Sequence, residues 1–152
     1  MLVRQILPLF VAYASDKEPV EGRTRMQKML FLLQQEYKSC DFQYKYHAYD
    51  YGPYSSTLQT DLDELIDEGL LEEEDQALPS GKYKYRYSIT KKGIKHVESA
   101  LSDPRNKKLQ LKQIYRSSEK IKAFANSANL NDLLKYVYAK YPEYTKFSIF
   151  EF

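Results

Sequence analysis

The sequence predicts an α+β fold, mostly helical, organised as a winged helix-turn-helix with additional C-terminal helices, on three observations. Apolar residues recur at helical spacing over 24–33 and 55–69, and a Gly-Leu-Leu turn at 69–71 opens a glutamate-rich run. Residues 82–89 then alternate strictly between Tyr or Ile and Lys, Arg or Ser. Two helices, a strand, a capped helix, a hairpin and a Thr-capped helix follow one another in the order of a winged helix.

Each element has its own justification. Leu2, Val3, Ile6, Leu7, Phe10 and Val11 mark a first helix over 2–14, with Pro8 either kinking it or lying in its first turn. Residues 15–22 are a polar loop. Met26, Met29, Leu30 and Leu33 then form the buried stripe of a second helix opened by Gly22 or Thr24, with Arg25, Lys28, Gln34 and Gln35 directed elsewhere. From Phe42 the period becomes two: Phe42, Tyr44, Tyr46 and Ala48 share one face, and Gln43, Lys45, His47 and Tyr49 the other. Gly52 and Pro53 end this strand, and Ser55 or Ser56 supplies a cap for a third helix with Leu58, Leu62, Leu65 and Ile66 inside and Gly69 as its left-handed stop. Residues 70–75 and 82–89 form a β-hairpin around Pro79, Ser80 and Gly81, and Thr90 caps a helix to about residue 101. After Pro104 the spacing predicts a long amphipathic helix, then a final one over 131–140 burying Leu133, Leu134, Val137 and Tyr138. The expected division is a winged-helix domain over 1–102 and a helical extension over 103–152 that packs on the same core or supports a homodimer.

Composition narrows the chemistry. No stretch approaches the ~18 apolar residues of a membrane span, and the first residues carry too short an apolar run for a signal peptide, so a cytoplasmic protein is expected. One cysteine, Cys40, with His47 and His96, cannot assemble a zinc site of ordinary spacing or an intrachain disulfide; no cofactor, no metal and no enzymatic activity are expected. The net charge of +2 conceals a segregation. Residues 79–122 hold thirteen Lys or Arg against three acids, and the remainder ten against eighteen, nine of these acids lying within 61–75.

The strings GRTRMQKMLFLL (22–33), YDYGPYSSTLQTDLDELIDEGLL (49–71), YSITKKG (87–93) and LLKYVYAKYPEYTKFSI (133–149) resemble the YwgA-like group of the Panacea proteins, the SocA-type antitoxin domains. The resemblance spans most of the chain. It implies a mostly helical domain with a winged-helix element that, in antitoxin members, works by holding a protein partner such as a toxin. The basic helix over 107–122 departs from the better-studied antitoxins.

Two functions follow as expectations. The leading one is non-catalytic binding of double-stranded DNA, of a regulatory kind. Ser55, Ser56, Gln59 and Thr60 would approach the major groove at the start of the third helix, and Lys82, Lys84 and Arg86 on the hairpin would meet the flanking backbone. Lys108, Lys112, Arg116 and Lys120, a stripe roughly 18 Å long at 1.5 Å per residue, would meet a further length of phosphate. Against this stand the acids of the third helix and the prospect that Glu72 and Glu74 occupy the hairpin bases across the strands. The alternative is a protein-interaction module of antitoxin or adaptor type, using the acidic 61–75 surface or the Tyr-rich end.

Overall fold

In the computed structural model, which describes residues 2–36 and 43–150, a 3-10 turn at Val3–Gln5 leads into α1 (Ile6–Lys17), β1 (Val20–Glu21) and α2 (Arg23–Glu36). A ribbon of β2 (His47–Tyr49) and β3 (Gly52–Tyr54) precedes α3 (Ser56–Asp67), the hairpin β4 (Leu71–Ala77) and β5 (Tyr83–Ile89), and α4 (Lys91–Ser102). A second 3-10 turn, Pro104–Leu109, leads to α5 (Leu111–Ala125) and α6 (Leu130–Lys140). The antiparallel sheet has the order β1-β5-β4, with Val20 opposite Tyr87 and Glu21 opposite Arg86. Three helices feeding a hairpin whose second strand is covered by a short strand between the first two helices is winged-helix connectivity. β1 lies within the stretch expected as a polar loop. Two residues have no period, and only the pairing with β5 makes them a strand.

Pro8 occupies the third position of α1, where the amide has no intrahelical acceptor to lose, so the helix does not kink there. The break comes at the other end, where Ala14 is extended and Ser15 and Asp16 adopt φ of 53°. α5 receives the carbonyls thus freed: Lys122 Nζ donates to Ala12 O at 3.1 Å and to Ala14 O at 2.7 Å.

α2 corrects the sequence reading most. Its Met and Leu stripe is buried as expected, but Arg25, Lys28 and Gln34, expected on the open side, are buried as well. Arg25 donates to the carbonyls of Ala125 and Ala128. Gln27 and Gln34, two turns apart on one face, act as surrogate strands. The Gln34 amide donates to Tyr44 O and accepts from Tyr44 N, both at 2.7 Å, and Gln27 does the same for Ser55 at 2.9 Å. Residues 43–49 therefore alternate in burial as predicted, Tyr44, Tyr46 and Ala48 inward, although only His47–Tyr49 pairs with another strand. Phe42 lies outside the described residues.

Leu58, Leu62 and Leu65 of α3 are fully buried, Gly69 takes φ +76° to end the helix, and Thr90 Oγ accepts from Gly93 N to open α4. On β5, Tyr87 is buried, Tyr85 is half-buried and Tyr83 is exposed, because the hairpin tip projects beyond the core. The core is one cluster from Ile6 to Val137, to which α5 and α6 contribute Leu111, Ile114, Ile121, Ala125 and Leu133. The Tyr-rich end joins it: Tyr46, Tyr141 and Tyr144 each set an edge on the Phe31 ring at 5.0 Å.

Candidate functional site

The start of α3 is held from below and from the side. Ser55 Oγ accepts from Leu58 N at 3.2 Å, capping the helix, while Gln27 holds its backbone. One residue along α2, Lys28 Nζ donates to Pro53 O at 2.7 Å. Gly52 takes φ +91° with Tyr138 so close that a Cβ would come within 2.9 Å of its ring. The ribbon is thus pinned between α2 and α6, replacing the three- or four-residue turn of a simple helix-turn-helix.

Between ribbon and helices lies a cleft of about 180 Å³. Its floor is Arg23, Gln27 and Lys28 of α2, its wall Tyr49, Tyr51 and Tyr54 of the ribbon region, and Gln59 of α3 closes it. The Tyr49 and Tyr54 rings lie 5.1 Å apart, with His47 edge-on to both. Tyr49 is 50% and Tyr51 38% exposed, large apolar surface facing water beside the cleft.

Charge is distributed unevenly around it. Lys28 is 2% exposed, and burial pushes its ammonium down to about 7. Among the described residues no carboxylate pairs with it, and Pro53 O is its hydrogen-bond acceptor. Arg23 is already engaged, 3.2 Å from Glu73 and stacked 3.7 Å over the Tyr85 ring. Nearby, Asp61 is 1% exposed and accepts from Arg4 Nε (2.7 Å), Arg4 Nη2 (3.2 Å), Gln5 Nε2 (3.1 Å) and Tyr44 OH (2.7 Å). Burial alone would raise its pKa, but these donors hold it below the usual carboxylate range. Asp61 therefore does not belong to the exposed acidic surface expected over 61–75; it ties α3 to the 3-10 turn that precedes α1 and to Tyr44.

The residues expected at a DNA interface fall in separate places. Ser55 is fully buried, its hydroxyl spent on the helix cap, so it presents nothing to a groove. Ser56 and Thr60 are exposed and Gln59 is half-buried at the cleft. Lys82, Lys84 and Arg86 are exposed on or beside β5. The expected cross-strand rivals were Glu72 and Glu74, but the ion pairs go to Glu21 on the other neighbour: Arg86 Nε at 2.9 Å and Lys84 Nζ at 3.5 Å. Lys112, Arg116 and Lys120 are exposed on α5, whereas Lys108 lies in the preceding 3-10 turn. Gln110, at φ +54°, separates the two and shortens the stripe. Lys112 and Arg116 share a second, open cleft of about 580 Å³ with Lys107, between the end of α4 and the start of α5. The structure does not bring the hairpin bases and the α5 bases into one cleft.

Sequence reasoning missed Glu21, Gln27, Lys28 and the ribbon tyrosines as site residues. The available signals were the Gln-Lys pair in a helix otherwise apolar on that side and the density of tyrosine around Gly52 and Pro53. Among the described residues no group of three or more His, Cys, Asp or Glu could hold a metal ion, and no helix is long and apolar enough to cross a membrane.

No family model matches the chain. It is 34% identical over 86 residues to the uncharacterized protein YwgA of Bacillus subtilis (strain 168), an alignment covering 57% of this chain and 50% of that protein. The chain thus spans about half the length of the curated relative it matches.

Proposed function

We propose that the chain is a non-catalytic winged-helix module that holds a protein partner at the tyrosine-lined ribbon, in the manner of the Panacea, SocA-type antitoxin domains it resembles. The observation that carries this reading is the pair of exposed rings, Tyr49 and Tyr51, on a ribbon braced from beneath by Gln27, Lys28 and Tyr138. Rigid aromatic surface loses little entropy on docking, which is why tyrosine is enriched among the residues that dominate protein interfaces. The pairing of Lys84 and Arg86 with Glu21 weakens the competing appeal to phosphate. Affinity purification of the tagged protein from its own cells tests the proposal. One stoichiometric protein is expected, lost with Tyr49→Ala/Tyr51→Ala in a variant of unchanged circular dichroism; a partner retained by the variant overturns the assignment.

Double-stranded DNA is the second reading, favoured by the exposure of Ser56 and Thr60 on the helix that precedes the wing and of Lys82 at its tip. Fluorescence anisotropy with random duplex across a salt series separates the two. DNA binding requires a log–log slope of several phosphates; the partner-holding reading predicts a flat response.

A further inference from the structure

We infer that the cleft beneath the ribbon is an acceptor site for a single acidic side chain, Asp or Glu, of the protein partner, with the Lys28 ammonium as its counter-charge. This rests on the proposal that the module holds a protein. A buried cation is ordinarily answered inside its own chain. Lys122, the other buried lysine, donates to two carbonyls at the end of α1 and lies in the field of Glu18 and Glu119. Lys28 has three donors, one carbonyl acceptor and, among the described residues, no paired carboxylate, yet it lines an open cleft. An ammonium so placed is costly to keep charged, and it either gives up its proton or is answered by an anion from outside.

The cleft selects the kind of anion. At about 180 Å³ it is smaller than the ~300 to 1,000 Å³ of sites for drug-sized ligands, and it suits one side chain. Tyr49 and Tyr54 offer apolar walls to methylene groups, and Gln59, whose amide donates to Asp63 Oδ1 at 3.3 Å, adds a polar group to the lining. Arg23 adds positive potential although Glu73 holds it. Asp50 is the one carboxylate among the lining residues, and no ion pair joins it to Lys28. Because burial lowers the Lys28 ammonium's pKa, seating a carboxylate would raise its proton affinity, so binding would favour uptake of a proton.

The experiment is an NMR titration of the lysine Cε–Hε resonances of the full chain, with N-acetyl-glutamyl amide as probe and N-acetyl-glutaminyl amide as neutral control. The expected result is a saturable shift of the Lys28 signal and an upward move of its titration midpoint with the glutamyl probe alone. Gln59→Glu, which places a carboxylate at the mouth without touching the core, should raise the midpoint unaided and abolish probe binding. No shift with the glutamyl probe, an equal shift with the control, or a response to inorganic phosphate alone overturns the inference. The broader reading fails separately. If a captured partner binds Lys28→Met as well as the parent, this site falls and the module's role stands; if the probe binds but capture does not depend on Tyr49 and Tyr51, the role falls and the site stands.

Discussion

The hairpin and the floor of the ribbon both present cations, and they differ in how those cations are answered. Lys84 and Arg86 share the Glu21 carboxylate at the edge of the sheet, half-exposed and open to solvent. Lys28 lies beneath the ribbon with a carbonyl alone. On the opposite side of the ledger of sign, buried Asp61 is answered four times over. The difference teaches that a basic residue's position in the sequence says little about its availability. Two exposed bases of the wing, Lys84 and Arg86, are already partnered, whereas among the described residues the buried Lys28 of α2 has no carboxylate in an ion pair.

The comparison can be tested from its strongest term downward. Asp61→Ala removes the acceptor that Arg4, Gln5 and Tyr44 share, and should cost about 2–4 kcal/mol in urea unfolding, chiefly because the buried Tyr44 hydroxyl and Gln5 amide lose a partner. The same carboxylate fixes an acid dependence. Its folded pKa lies below the unfolded value, so its contribution is present above the ordinary carboxylate range and is lost as pH falls through the folded value; Asp61→Asn should flatten that part of the curve. A cost near zero for Asp61→Ala would show that the answered charge is not what joins α3 to the turn before α1.

Next in size, Gly52→Ala asks whether the ribbon's seat is rigid. A side chain there meets both a left-handed backbone and the Tyr138 ring, and a loss of about 1–3 kcal/mol is expected from strain and overpacking, read as a shift in denaturation midpoint.

Lys28 gives a slope of the same sign as Asp61, in a higher window of pH. Its pKa falls from the ordinary 10.5 to about 7 on folding, so between those values the unfolded chain binds more protons and stability rises with pH. The slope should approach about 1.4 kcal/mol per pH unit within that window and should vanish in Lys28→Met. An unchanged slope in that variant would mean that Lys28 is not the unanswered charge. Smallest of all, Lys84→Ala or Arg86→Ala should change stability by less than about 1 kcal/mol, because both partners are half-exposed and screened.

Much of the frame was legible from spacing and punctuation. Ser55 and Thr90 cap the helices that their positions predict, Gly69 stops α3, and the alternation over 83–89 gives β5. These are local effects, carried by a few neighbouring residues. The site was less legible, since its parts come from distant segments. Gln27 and Gln34 look like the polar side of an amphipathic helix until the ribbon and Tyr44 are laid against them. Glu21 looks like a loop acid until β1 pairs with β5.

The helices and the long hairpin follow from the sequence, because periodicity, caps and turn residues act within a helix turn or a hairpin, whereas the short strands β1 and β3 exist through pairing. Only the tertiary structure decided which charges are answered. Pairing a carboxylate with a guanidinium, or leaving an ammonium without one, depends on segments far apart in the chain meeting at a few ångströms, and that distance is a property of the packed molecule.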